Sequence, residues 1–188
     1  MESGAAELDV VVVGAGFGGL AMLYRLRERG YSIQGVETGD SVGGTWFWNR
    51  YPGARVDVQS VEYSLSLSRE VQDEWTWTEL MAPQEELERY VNFVADRLDL
   101  RRHIKFNTRV TAMAWDEESA TWLVATDQGD RWRSRFVVTA VGCLSAPLEP
   151  AIEGLSSFAG ASLYTNRFPK EGFDFSGKRV AIIGTGVA

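Results

Sequence analysis

The stretch LDVVVVGAGFGG at residues 8–19 decides the fold of this 188-residue chain. Its apolar, β-branched run from Val10 to Val13 is typical of a strand that is covered on both faces in a parallel sheet. Residues 20–29, which follow the glycines, are rich in helix formers and stop at Gly30, so they predict a helix. A second short strand around residues 33–36 would complete a βαβ unit.

The glycines Gly14, Gly16 and Gly19 follow the pattern G-x-G-x-x-G, and the acidic Glu37 ends the second strand. The first glycine permits a tight turn, and the second lets backbone N–H groups approach a pyrophosphate at the helix N-terminus. The third lets helix and strand pack closely, and Glu37 would accept hydrogen bonds from ribose hydroxyls. We therefore predict a dinucleotide site rather than a glycine turn that serves packing alone.

The chain up to residue 145 is predicted to extend this fold. Residues 38–63 show no clean period and indicate a long ordered loop, which is usually functional. Pro83 opens a predicted helix with one apolar stripe. Four strand patterns then predict an inserted antiparallel β-meander, at residues 104–106, 110–115, 122–126 and 136–141. The predicted fold class is α/β, with a Rossmann-like nucleotide-binding domain at residues 1–145 that combines a parallel sheet with this meander.

A second glycine pair, Gly184 and Gly186, follows the apolar residues 180–183. It predicts the first strand of a second Rossmann domain at residues 179–188, reached through a linker at residues 146–178. The third glycine would fall just after Ala188, so we expect this domain to be truncated. Two nucleotide folds in one chain are what an enzyme needs to pass hydride from a nicotinamide to a flavin. The alternative is a chance Gly-x-Gly hairpin at a natural C-terminus.

The segment GGTWFWNRYPGARVD at residues 43–57 gives the sharpest signal. It resembles the Baeyer–Villiger monooxygenases, whose FAD domains carry a similar GGTWYWNRYPGAR stretch, and it departs from that stretch mainly at Phe47. Residues 158–169, FAGASLYTNRFP, are spaced like the family fingerprint FxGxxxHxxxWP. Tyr164 stands where the family has histidine and Phe168 where it has tryptophan. The resemblance extends from about Val10 to the last residue.

The resemblance implies an FAD-binding domain at residues 1–145 in an enzyme that uses FAD, NADPH and O₂. Such an enzyme converts a ketone into an ester or lactone by way of a flavin C4a-peroxide. Trp46 and Trp48 would wall the isoalloxazine ring, although an isolated tryptophan pair is more simply core. Asp57 would be the catalytic residue that orients an arginine from the second domain, and Arg55 would touch the nicotinamide cofactor. Considered without the resemblance, Arg55 and Asp57 could instead be an ordinary surface ion pair.

We predict no metal ligands. The predicted cofactor-binding residues are Gly14, Gly16, Phe17, Gly18, Gly19, Glu37, Thr45, Trp46, Phe47, Trp48, Arg55, Val56, Asp57, Tyr63, Val110, Gly184 and Gly186.

Two other functions compete with this one. The chain could be a non-catalytic FAD-binding fragment, or part of a flavin-containing N-oxygenating monooxygenase. Its end inside a second glycine motif favours a piece of an enzyme, which we expect to be inactive alone. The stretch WFWNRYPGAR at residues 46–55 argues against the N-oxygenating alternative.

Composition excludes several other function classes. A net charge of −7 makes nucleic acid an unlikely partner. No apolar run approaches the roughly 18 residues that span a bilayer, and the N-terminus lacks a basic signal region, so we expect a cytoplasmic protein without a membrane partner. A single cysteine and a single histidine cannot form a metal site of the His/Cys type. We expect Cys143 to be buried and His103 to be solvated.

Overall fold

The computed structural model describes residues 5–146 and 150–184. Its strands form a six-stranded sheet in the order β3-β2-β1-β6-β5-β4. The strands are β1 (Ala6–Val13), β2 (Ile33–Val36), β3 (Ile104–Lys105), β4 (Val110–Asp116), β5 (Thr121–Thr126) and β6 (Arg131–Thr139). The helices are α1 (Phe17–Glu28), α2 (Thr45–Trp48), α3 (Arg69–Glu74) and α4 (Gln84–Arg97). Single 3₁₀ turns lie at Ser60–Tyr63, Arg101–His103, Leu155–Ser157 and Thr165–Arg167.

The predicted βαβ unit is confirmed. Strands β1 and β2 pair in parallel, with Val10 opposite Ile33 and Val13 opposite Val36. Helix α1 begins at Phe17, three residues before its predicted start, because Gly18 and Gly19 already adopt helical geometry. The chain leaves this helix through Gly30, whose φ of 77° favours glycine. The carboxyl end of β1 is thereby joined to the N-terminus of α1 by the glycine loop.

The main core lies between β1, α1 and α4. Helix α4 buries the predicted apolar stripe of Leu87, Val91, Val94 and Leu98 together with Tyr90. The Tyr90 hydroxyl accepts a hydrogen bond from the Leu65 N–H at 2.6 Å, which satisfies its polar end inside the core. Because α4 is held along its length, its first turns are fixed against the loop that connects β2 to α3.

The predicted meander is partly wrong. Strand β5 pairs antiparallel with both β4 and β6, whereas β3 pairs in parallel with β2 and takes no part in the meander. Strand β6 begins at Arg131, not at residue 136, and it continues beyond β5 to pair in parallel with β1 as far as Val13 opposite Thr139. At nine residues, β6 is long enough to pair with both neighbours, so the hairpin extends the parallel sheet instead of forming a separate insert.

The predicted first strand of a second Rossmann domain does not form a strand in the structure. Val180, Ile182 and Ile183 are exposed, the isoleucines by 88% and 69%, and no described residue pairs with them. A strand without a neighbour leaves its backbone N–H and C=O groups unpaired, so this segment stays exposed to solvent and forms no strand. Gly184 follows with a φ of 110°, and Gly186 lies outside the described residues.

The burial of Cys143 and His103 differs from what the sequence predicts. Cys143 is exposed, not buried, because the chain leaves the sheet after Thr139 and the neighbouring Val141 and Leu144 are exposed as well. His103 is half-buried at a 3₁₀ turn, where burial and the charge of Arg102 lower its pKa. Within residues 5–146 and 150–184, no cluster of side chains suited to a metal ion occurs and no helix is long and apolar enough to cross a membrane.

Candidate functional site

Two of the three motif glycines stand where a Cβ atom would collide with backbone, and at the third, Gly16, it would make a tight contact. A Cβ atom added to Gly14, whose φ is 103°, would lie 2.5 Å from the Ala140 carbonyl oxygen. At Gly19 it would lie 2.0 Å from the Gly14 carbonyl oxygen, and at Gly16 it would lie 3.3 Å from the Gly44 Cα. The spacing therefore reflects close contacts of the glycine loop with Ala140 just after β6, with itself and with the loop that contains Gly44.

The N-terminus of α1 has free hydrogen-bond donors. No side chain among the described residues caps this end, and its first turn carries no acidic residue. The amides of Phe17, Gly18 and Gly19 find no acceptor among the described residues. Free N–H groups at the positive end of a 12-residue helix make a favourable position for an anion such as a pyrophosphate.

Glu37 lies beside this loop and is only 6% exposed. One carboxylate oxygen accepts the Ala15 N–H at 2.8 Å and the other accepts the Gly39 N–H at 2.8 Å. A carboxylate offers about four acceptor positions, so each oxygen retains capacity for a ribose hydroxyl. Glu37 thus ties the glycine loop to the end of β2, a role that the sequence pattern did not predict.

The aromatic segment lies directly against the glycine loop. The Gly43 N–H donates to the Ala15 carbonyl at 3.0 Å, which brings α2 beside the start of α1. Tyr63 packs edge-on against Phe17 at 5.5 Å and against Trp46 at 5.7 Å between ring centroids. Burial, and then the nearby charge of Asp57, raise the pKa of Tyr63. These aromatic residues, predicted from segments far apart in sequence, form one cluster.

The other residues of the aromatic loop differ in exposure. Trp46, Phe47 and Val56 are buried, whereas Trp48 is 43% exposed. Thr45 opens α2, and its carbonyl accepts the Asn49 N–H at 2.9 Å. The buried Trp46 packs with Val56 and Leu87, so it contributes to a small core and also borders the glycine loop.

The predicted surface ion pair between Arg55 and Asp57 is absent. Arg55 instead pairs with Glu79 at 3.3 Å and donates to the Met81 carbonyl at 3.2 Å. Asp57 is exposed and makes no hydrogen bond or ion pair with any described residue. A carboxylate next to the aromatic cluster is thus available for a partner that is not among these residues.

Two predicted residues lie away from the glycine loop. Val110 begins β4 and packs against the cluster that contains Val11 and Val36, behind the sheet. Gly184 lies in the exposed segment near the end of the described chain. Neither position is brought into the aromatic cluster.

Three polar residues at this site were not predicted from the sequence. Arg50 and Gln84 donate to carbonyl oxygens of α2, and Glu88 contacts both of them. Gln84 is buried on the same helix face as the apolar Leu87. A polar residue within this apolar face is the sequence feature that could have indicated the network.

Comparison with known protein families gives two overlapping matches. A family model described as an NAD(P)-binding Rossmann-like domain matches residues 12–76. A second model, described as L-lysine 6-monooxygenase/L-ornithine 5-monooxygenase, matches residues 68–188. The first match contains the glycine loop and Glu37, and the second contains α4 and the strands that complete the sheet.

Named relatives match almost the whole chain. Acetone monooxygenase (methyl acetate-forming) of Gordonia sp. is 44% identical over 95% of this chain and 34% of its own length. Cyclohexanone 1,2-monooxygenase of Acinetobacter sp. is 38% identical over 96% of this chain and 33% of its own length. Phenazine N-monooxygenase PhzNO1 of Lysobacter antibioticus is 36% identical over 99% of this chain and 34% of its own length.

A solved structure of an oxidized steroid monooxygenase bound to NADP has a TM-score of 0.89 and 51% identity. It is matched over 96% of this chain and 35% of its own. The chain spans about a third of the length of the curated relatives it matches. It is similar to relatives named as monooxygenases, among them a Baeyer–Villiger monooxygenase of Pseudooceanicola batsensis at 44% identity over 96% of this chain and 33% of that protein. Because the second family model matches more than half of the chain, the chain belongs to the family described as L-lysine 6-monooxygenase/L-ornithine 5-monooxygenase.

Proposed function

We propose that this chain binds FAD and forms part of an enzyme that oxidises ketones with NADPH and O₂. The observation that carries the proposal is the uncapped N-terminus of α1, with its glycine loop lying beneath an aromatic cluster. In the overall reaction, ketone, O₂, NADPH and a proton give an ester or lactone, NADP⁺ and water. Relatives named as acetone and cyclohexanone monooxygenases support a ketone as the substrate.

The residues present fit an FAD molecule. Glycine at positions 14, 16 and 19 allows the close backbone contacts that set the loop in place, and the amides at the start of α1 would hold the pyrophosphate. Glu37 would accept the ribose hydroxyls, while Trp46 and Tyr63 would line the ring end and exclude water. When bound, FAD supplies the capacity to accept hydride and activate O₂.

The domain boundaries are part of the proposal, with an FAD-binding domain at residues 1–145, a linker at 146–178 and the start of an NADPH-binding domain at 179–188. The contact of the linker with the aromatic segment supports them. Phe168 is buried in the linker, and the Lys170 ammonium lies 4.5 Å from the centre of the Phe47 ring. This cation–π contact would join the linker to the flavin site. We also propose a cytoplasmic location, because no apolar run of the sequence is long enough to span a bilayer.

N-oxygenation is a second candidate function. The family model named for lysine and ornithine monooxygenases favours it, and so does the likeness to a phenazine N-monooxygenase. Incubating the complete gene product with NADPH and either a cyclic ketone or a primary amine would separate the two. We expect a lactone from the ketone and no hydroxylamine from the amine, and the reverse result would favour N-oxygenation.

The first prediction is that the purified 188-residue chain binds FAD with a stoichiometry of one. Isothermal titration with FAD, and separately with riboflavin, would measure it. Riboflavin lacks the pyrophosphate and the adenosine, so it should bind far more weakly if the α1 amides and Glu37 carry the affinity. A folded chain that shows no saturable FAD binding, or that binds both ligands equally, contradicts the proposal.

The second prediction concerns Glu37→Gln. The new amide nitrogen cannot accept an N–H, so one of the two backbone bonds and the negative charge are lost. We expect FAD affinity to fall about 10- to 100-fold, the scale of one or two hydrogen bonds to a charged group.

ADP and 2′,3′-dideoxy-ADP, which lacks the ribose hydroxyls, are then each made to compete with FAD for the wild type and for Glu37→Gln. The two ligands and the two proteins form a double-mutant cycle that isolates the contact between Glu37 and the ribose. Removing the hydroxyls should cost affinity in the wild type and almost none in Glu37→Gln. Equal losses in the two proteins would mean that Glu37 acts only by tying the loop to β2.

A further inference from the structure

Helix α2 is too short to be stable by itself. It has four residues, Thr45–Trp48, and a single helical turn is unfavourable without outside support. Two of its carbonyl oxygens accept hydrogen bonds from side chains outside the helix. Arg50 donates from Nε to the Phe47 carbonyl at 2.8 Å, and the buried Gln84 donates from Nε2 to the Trp46 carbonyl. These bonds fix the carboxyl end of the helix that carries the aromatic residues.

Both donors are held by one carboxylate. One oxygen of Glu88 forms an ion pair with the Arg50 guanidinium, and the other accepts from Gln84 Nε2 at 2.9 Å. Glu88 lies one turn after Gln84 on α4, while Arg50 is 38 residues away in sequence. The Arg50 and Glu88 side chains are 26% and 21% exposed, so solvent screens this pair only in part.

Arg50 also contacts the ring that it holds by its backbone. Its guanidinium lies 5.2 Å from the centre of the Phe47 ring, which is itself buried. Without the Glu88 contact, the Arg50 guanidinium would be free to move away from both the carbonyl and the ring of Phe47 that it contacts. Movement of α2 would shift Trp46 and Trp48, which flank Phe47.

We propose that Glu88 is a positioning residue for α2, acting through Arg50 and Gln84 to hold Trp46, Phe47 and Trp48 in one orientation toward the bound flavin. The proposal rests on the FAD site proposed above. It differs from a purely stabilising ion pair, because such a pair at a partly exposed position contributes little and would affect the whole fold evenly. A positioning role instead predicts an effect confined to α2 and the flavin.

The test is Glu88→Gln in the 188-residue chain, compared with Glu85→Gln. Glutamine keeps one acceptor oxygen and has no charge, so it cannot reproduce the contacts that two separate carboxylate oxygens make with Arg50 and Gln84. Glu85 is exposed on the same helix and makes no hydrogen bond or ion pair with the described residues, so it controls for the change of charge. Hydrogen exchange of the peptide spanning residues 43–52 is measured without FAD, and the visible circular dichroism of the flavin is measured with FAD.

We expect exchange across residues 43–52 to accelerate about tenfold or more in Glu88→Gln, with α1 and β1 unchanged, and the flavin dichroism to change. Glu85→Gln should match the wild type. Wild-type exchange in Glu88→Gln, a uniform rise in all segments, or a local rise with unchanged flavin dichroism would each overturn the proposal.

A second variant covers the case in which Glu88→Gln does not fold. Arg50→Lys keeps a positive charge for Glu88 but loses the Nε donor to the Phe47 carbonyl, and it should give the same local acceleration. Wild-type exchange in this variant would also overturn the proposal. If the wild-type chain fails to bind FAD, the proposed function fails, while hydrogen exchange still reports whether Glu88 holds α2.

Discussion

Gly19→Ala is expected to abolish high-affinity FAD binding, whereas Gly18→Ala, one residue earlier, should leave binding nearly unchanged. A Cβ atom at Gly19 would lie 2.0 Å from the Gly14 carbonyl oxygen and 2.9 Å from its carbon, both of which are backbone atoms. The glycine loop must therefore move away from α1, at a cost of about 2–3 kcal/mol for such overpacking. Because the same movement displaces the amides that would hold the pyrophosphate, the FAD dissociation constant should rise about 100-fold.

Gly18→Ala is the matched control for this prediction. A Cβ atom at Gly18 meets nothing within 4 Å, and the position already has helical backbone. Alanine keeps the N–H that Gly18 would offer to FAD, and in a helix it is more stable than glycine by about 0.5–1 kcal/mol. Chemical denaturation and FAD titration of both variants measure the two effects. Wild-type affinity in Gly19→Ala would show that the α1 terminus is not the pyrophosphate site.

The elements that could be predicted from the sequence are those set by local chemistry. The β-branched run before Gly14, the glycine spacing and the apolar stripe of α4 each depend on neighbours within a few residues. The packing of Gly19 against Gly14 is likewise a contact within the loop itself. For these reasons β1, α1, β2 and α4 formed where expected, and their boundaries moved by only a few residues.

The parts that were missed depend on distant partners. Strand β3 pairs with β2, and β6 pairs with β1, through contacts that no local pattern encodes. Residues 180–183 have the composition of a buried strand, yet burial requires a neighbouring strand that the described residues do not provide. The network of Arg50, Gln84 and Glu88 joins segments 38 residues apart, so only the folded chain brings it together.

Asp57 has a role that the sequence resemblance implies and a position in the fold that suits this role. The resemblance implies that it orients an arginine, and its position in the fold leaves it able to do so. Asp57 is exposed and unpaired among the described residues, yet it follows the buried Val56 and its charge acts on Tyr63 in the aromatic cluster. Its free carboxylate therefore lies at the edge of the proposed flavin site.

Asp57→Ala in the complete gene product is expected to leave FAD binding nearly unchanged but to slow ketone oxygenation about 100-fold, the usual scale for losing one preorganised electrostatic element. A carboxylate favours the charged form of a nearby arginine and fixes its position, and alanine can do neither. Oxygen reduced at the flavin should then leave as H₂O₂, so less ester or lactone is formed per NADPH consumed.

Glu79→Ala is the control for the Asp57 prediction, because Glu79 is another carboxylate, half-exposed, that pairs with Arg55 in the same region. An exposed ion pair is worth about 0–1 kcal/mol, so this variant should keep wild-type coupling. Product, H₂O₂ and NADPH are measured together for the wild type and both variants. If Asp57→Ala couples NADPH to product as well as Glu79→Ala does, the carboxylate takes no part in the chemistry, and Asp57 is an ordinary exposed side chain.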